Sequence, residues 1–189
     1  MKRPTIKIQY DAPCALTFAL ICLAALIWDS LSGGWANANI FSVYRSSFAD
    51  PLTYVRMFTH VLGHSSFGHF FSNISLFLVL APIVENRYGS MRLLICFVIT
   101  AFISGFIHFV FFPTTVLLGA SGIVFMMIFL ASMGSAKGGV IPVSLILVGT
   151  IYLGREVWDM IFVRDNISQI THIIGGICGI ICGKASAKR

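Results

Sequence analysis

Residues 91–112 read MRLLICFVITAFISGFIHFVFF, and shortly after them residues 117–134 read LLGASGIVFMMIFLASMG. Each is close to the ~20 apolar residues a helix needs to cross the hydrocarbon core of a bilayer. Stretches of the same kind lie at about 12–29, 67–84, 139–155 and 167–183. A bilayer offers no water to satisfy exposed peptide groups, so each stretch must close its own hydrogen bonds as a helix; a closed barrel would show short alternating segments instead. The expected fold is an all-α integral membrane bundle of six transmembrane helices.

Composition supports this. The chain of 189 residues is 57% hydrophobic and only 11% charged, outside the range of soluble domains. Lys2, Arg3 and Lys7 precede the first apolar run, which is long and lacks a small-residue cleavage site after it, so it reads as an uncleaved helix. With the N-terminus inside, the cytoplasmic segments hold Lys2, Arg3, Lys7, Arg87, Arg92, Lys137, Lys184, Lys188 and Arg189. The outer segments hold only Arg45, Arg56, Arg155 and Arg164. The bias predicts both termini in the cytoplasm. The net charge of +6 is then accounted for by topology and contact with anionic lipids, with no role for nucleic acid.

Cys14, Cys22, Cys96, Cys178 and Cys182 all fall within predicted spans and form no Cys-x-x-Cys pair. They read as small packing residues, and two thiolates on one face, Cys178 and Cys182, make a poor metal site without His or carboxylate. No metal and no cofactor is expected. No repeat or linker divides the chain, so residues 1–189 read as one membrane domain. Within it, the segment from about 30 to 66 mixes Trp35, Phe41, Tyr44, Phe48, Tyr54 and Phe58 with few charges, which suits a structure lying in the membrane interface.

The topology makes a site visible. Spans two, four and six all begin on the outer side, and each carries its polar residues early: His69 and Asn73, then Ser121, then His172. At 1.5 Å per residue each lies within about 10 Å of its helix start, so three helices bring a serine, two histidines and an asparagine to one level. Hydroxyl and imidazole groups at that depth are functional candidates.

Each has a plainer reading. His69 and Asn73, at i and i+4 on one helical face, could hydrogen-bond between helices, and a serine flanked by glycines is a common close-packing element. Yet both His69 and Asn73 can donate hydrogen bonds, as an oxyanion hole requires. Gly119 and Gly122 around Ser121 free the backbone for close approach and open the helix end so that the Ser121 amide can donate. Gly175 and Gly179 follow His172 at i+3 and i+7, which lets the sixth helix approach a neighbour; if that neighbour is span four, His172 reaches Ser121. No acid fits as a third member. Glu85 lies roughly 18 Å further along the helix from Asn73, and Asp165 about 10 Å above His172. The reading is a Ser-His dyad.

In combination these motifs resemble the rhomboid intramembrane serine proteases of the bacterial, six-helix kind. The resemblance runs from Arg56 through Gly179. It rests on His64 with His69-Phe70-Phe71-Ser72-Asn73, on Glu85-Asn86-Arg87-Tyr88-Gly89, on Gly119-Ala120-Ser121-Gly122, and on His172-Ile173-Ile174-Gly175 with Gly179. It implies that Ser121 is the nucleophile and His172 the base, with the Ser121 amide, His69 and Asn73 as the oxyanion hole. It further implies that His64 serves the polar network near the site, that Glu85 and Arg87 brace the cytoplasmic turn, and that Arg56 belongs to a membrane-embedded first loop. Three positions depart from the family pattern: Val55 where Trp is frequent, Phe125 where Tyr is frequent, and Thr171 where a small Ala is usual. Phe125 keeps the ring expected to pack on His172 without its hydroxyl.

The implied substrates are transmembrane proteins, cut where the chain leaves helical structure. The implied location is the bacterial inner membrane, with the site opening to the outer face and the fifth span and the loop Trp158 to Asp165 as the gate. The resemblance leaves oligomeric state open. A silent rhomboid-like binder would lack the nucleophile or base. A transporter would gather polar residues at the bilayer midplane, and a metalloprotease would carry His-Glu-x-x-His.

Overall fold

The computed structural model describes residues 11–133, 143–148, 150–151 and 166–187. The elements are α1 (Pro13–Leu31), α2 (Trp35–Asn39), α3 (Pro51–Thr59), a 3-10 turn (His60–Leu62), α4 (Phe67–Tyr88), α5 (Ser90–Phe111), α6 (Ser121–Met133), α7 (Val143–Val148) and α8 (Asn166–Ala187). Among the described residues the architecture is helical, as expected. Three helices, α1, α4 and α5, are long and apolar enough to cross a membrane; α6 and residues Gln169–Ala185 of α8 are apolar but shorter. Most of the expected fifth span at 139–155, and the loop from Trp158 to Asp165, lie outside the described residues.

Local chemistry sets the helix ends. Asp50 caps α3 by accepting from the Leu52 amide, with Pro51 at the first helical position. Ser66 caps α4 in the same way through the His69 amide. α4 stops at Gly89, whose φ of 81° is poorly tolerated by other residues. At that end Glu85 is buried and accepts from the amides of Cys14 (2.8 Å) and Ala15 (2.9 Å) and from the Ser90 hydroxyl. A carboxylate thus sits on the first turn of α1, where unpaired amides and the helix dipole favour it.

α6 is the central element: every residue from Gly122 to Leu130 is buried. A helix apolar on all sides belongs in the middle of a bundle. It packs on α8, α4 and α5, while α1 lies against α4 and α5. The core joins Phe77, Phe97, Ile123, Met126, Met127, Phe129 and the thiols of Cys22, Cys96 and Cys178. Leu20, Ile27, Val79, Ile83, Ile95 and Val98 project outward from α1, α4 and α5, as side chains facing lipid should.

Some boundaries differ from the sequence reading, and α4, expected to end near 84, runs on to Tyr88. The helix expected from 117 begins only at Ser121, because residues 117–120 bond elsewhere. Val43 and Leu117 exchange both backbone hydrogen bonds at 2.9 Å, and the Gly119 amide donates to the His60 carbonyl at 2.9 Å. The segment from 30 to 66 is ordered by two short helices and the 3-10 turn, with Arg56 buried inside it. That guanidinium pairs with Asp50 at 3.0 Å, donates to the Asn39 carbonyl and lies over the Tyr44 ring.

Candidate active site

Ser121 is the first residue of α6 and half-buried. The turn before it depends on Gly119, whose φ of 127° is rarely adopted by L side chains. A Cβ at Gly119 would also lie 2.8 Å from Cε1 and 2.9 Å from Nε2 of His69. The missing side chain therefore leaves the His69 ring edge-on to the segment that leads into Ser121.

His172 reaches the same place from α8. Its ring stacks on Phe125 with centroids 4.2 Å apart and planes within 4°. Phe125 stands one helical turn after Ser121 on the same face of α6, so the imidazole lies against the face that carries the serine. Small residues permit this. A Cβ on Gly175 would run into the Gly122 carbonyl oxygen, one on Gly179 into the Met126 carbonyl oxygen, and one on Gly183 would come within 2.6 Å of Met133 Cβ. Repeating every fourth residue, these glycines form a seam along which α8 and α6 meet backbone to backbone. Thr171 is buried beside it, its methyl 3.1 Å from where a Gly122 Cβ would stand.

His69 and Asn73 share one face of α4, as expected. Asn73 is buried and uses one N–H on the His69 carbonyl at 3.1 Å. Its amide carries a second. The imidazoles of His69 and His172 lie within electrostatic range of each other. His64 stands next to His69, edge-on to it with centroids 5.2 Å apart. Burial, and then the neighbouring His69, push its pKa down to about 4, so the ring is neutral. Its Nδ1 faces the Leu62 carbonyl at 3.2 Å, and a carbonyl can only accept, so the proton resides on Nδ1.

Other expected site residues stand apart. Glu85 closes the opposite end of α4, while Arg87 is exposed and rests over the Tyr88 ring. Arg56 acts at a distance: its carbonyl faces His60 Nδ1 at 3.3 Å, and the His60 carbonyl holds the Gly119 amide.

The sequence reading passed over His60, Ser104, His108 and Ser65. His60 Nε2 lies 3.2 Å from Ser104 Oγ, which makes a second serine–histidine pair. This pair is sealed: His60 is 0% and Ser104 1% exposed, and the serine hydroxyl also bonds to the Thr100 carbonyl. Burial pushes the His60 pKa down to about 4. No peptide could reach that oxygen, so the pair ties the first loop to α5. Ser104 and His108, four residues apart within an apolar span, were the available signal. Among the described residues, no group of three or more His, Cys, Asp or Glu side chains could hold a metal ion.

A helical membrane bundle whose central helix starts at a glycine-flanked serine beside a histidine defines a class, and comparison with known proteins bears it out. The chain belongs to the rhomboid family: the family's Rhomboid domain profile matches residues 51–189, which include every residue of the site above. Its long apolar helices make it an integral membrane protein. The chain is similar to the Rhomboid protease GlpG of Haemophilus influenzae, with 27% identity over 112 residues. That match covers 58% of this chain and 57% of the relative's length.

Proposed function

We propose that this protein is an intramembrane serine protease that hydrolyses peptide bonds in or near transmembrane segments, with Ser121 as nucleophile and His172 as general base. The observation that carries the reading is the α6–α8 seam: backbone contact at Gly122 and Gly175, with His172 stacked on Phe125 one turn from Ser121. Close approach at small residues packs membrane helices generally, and here it also brings an imidazole against the face of α6 that carries a serine.

In this mechanism His172 takes the Ser121 proton as Oγ bonds to the peptide carbonyl carbon. The resulting oxyanion accepts from the Ser121 amide, the second Asn73 N–H and His69. The C–N bond then breaks as His172 returns the proton to the departing amine. Water attacks the acyl ester with His172 again as base, releasing the acid and restoring Ser121. Phe125 stacked face to face on His172 restrains the plane of the ring. Residues 1–189 act as one domain with six spans, both termini in the cytoplasm and the site toward the outer face; cysteine accessibility should find 35–50 outside and Lys137 inside. Transmembrane proteins are the substrates, and lipids surround the bundle.

The test is labelling of detergent-solubilised protein with a fluorophosphonate, alongside cleavage of a transmembrane reporter. Wild type should label and cleave; Ser121→Ala and His172→Ala should each lose both while melting normally, because the two act as a unit. Cleavage that survives in either variant ends the proposal.

A further inference from the structure

We propose that Ser65 is a positioning residue for the oxyanion hole, whose hydroxyl holds His69 in the tautomer with its proton on Nε2, facing the turn before Ser121. The inference rests on the protease reading above and adds a residue to it. Ser65 Oγ lies 3.1 Å from His69 Nδ1, while Nε2 looks toward Gly119. A neutral imidazole carries one N–H, and the atom facing its other nitrogen decides where that proton resides. A proton on Nδ1 would turn a lone pair toward the developing oxyanion and repel it. A proton on Nε2 makes His69 a donor to it.

The neighbouring histidine supplies the contrast. His64 Nδ1 faces a carbonyl, which cannot donate, so that ring keeps its proton on Nδ1 and has an acceptor at Nε2. His69 Nδ1 faces a hydroxyl, which can donate, so the opposite tautomer is available there. Two adjacent serines divide the work: Ser66 caps α4 through the His69 amide at 3.1 Å and fixes the backbone, while Ser65 addresses the ring. The edge of His64 against His69 limits ring rotation. Ser65 is exposed and lines a cavity of about 330 Å³ between the end of α1 and the start of α4, together with Leu26, Ile27 and Phe67. Water can thus stand in for part of its effect, which sets the magnitude.

The experiment is kinetics with nitrogen-15 NMR of histidine-labelled protein in micelles, the His69 signal assigned by its loss in His69→Ala. Ser65→Ala should lower kcat about three- to tenfold, the range of one exchanged hydrogen bond, with KM unchanged. Ser65→Thr, which keeps the hydroxyl, should restore it. His69 should be the Nε2–H tautomer in wild type and a mixture in Ser65→Ala. In a His69→Ala background Ser65→Ala should have no further effect, because Ser65 acts only through that ring. A wild-type kcat in Ser65→Ala, an Nδ1–H tautomer in wild type, or additive losses in the double variant each overturns the proposal. Failure of the protease reading is distinct: Ser121 would not label with the fluorophosphonate, whereas the tautomer is read from the ring itself.

Discussion

Gly175→Ala adds a single methyl group, and the structure indicates what it would do. The new Cβ would stand 3.0 Å from the Gly122 carbonyl carbon and 3.2 Å from its Cα, closer still to the oxygen. Carbon pairs settle at about 3.5–4.0 Å. All three obstructing atoms are backbone of α6, which is buried on every side and cannot yield as a side-chain tip could. α8 must therefore back away by roughly 1 Å. Overpacking of that kind costs about 1–3 kcal/mol of stability. The larger effect should be on rate: His172 rides on the same helix less than one turn earlier, and a displacement of about 1 Å at a reacting group lowers the rate about 100-fold. The assay is the rate of fluorophosphonate labelling at Ser121 with the melting temperature in the same detergent. Gly68→Ala is the control, since its Cβ would meet only Ser66 Oγ at 3.9 Å. Gly122→Ala should behave more mildly, because it meets the methyl of Thr171, and Thr171→Ser should relieve it. If Gly175→Ala labels and melts like wild type, α6 and α8 do not meet as described, and the account of how His172 reaches Ser121 is wrong.

Asn73→Ala should lower kcat by about 10- to 1,000-fold with little change in KM if the amide serves the oxyanion, and should still label at Ser121, though more slowly. A lower melting temperature with kcat intact would reassign it to helix packing. Ser104→Ala should leave labelling and cleavage in place while costing about 1–3 kcal/mol in stability, since His60 Nε2 then lies buried without its hydroxyl; loss of labelling in protein that still melts cooperatively would refute the structural role given to this pair. Acid should destabilise the fold through His60 and His64, each lowered by burial to about 4 from an ordinary value near ~6.5. Between those values the unfolded chain takes up protons that the folded chain refuses, so stability falls as pH drops from about 6.5 to 4 and this contribution levels off below. Melting temperatures across that range should show it, and His64→Asn should flatten the slope.

Long apolar runs are legible one residue at a time, which is why α1 and α5 appear in the structure within about two residues of their expected ends and α4 starts where expected, running four residues further to Tyr88. Ser121, His69, Asn73 and His172 stand out as candidates for a related reason: a polar side chain at bilayer depth needs a purpose. The spacing of Gly175 and Gly179 pointed to a close helix contact before any contact was visible. By contrast, nothing local distinguishes residues 117–120 from the helix that follows them, because what unwinds them is hydrogen bonding to Val43 and His60 far away in sequence. His60 was illegible for the same reason: in sequence it is a polar residue near a loop, and its meaning comes from Ser104 on α5 and from the Gly119 amide.

The sequence by itself determined that the chain is a helical membrane protein, and led to the expectation of a serine and a histidine at one level, since apolar length, charge bias and 1.5 Å rise are properties of each segment alone. Only the tertiary structure decided how the helices that carry them meet. Pairing depends on helix rotation and backbone approach, which arise where two segments touch: Ser104 meets His60 in a sealed core, while the glycine seam brings α8 onto α6 and His172 onto Phe125, beside a serine that remains half open.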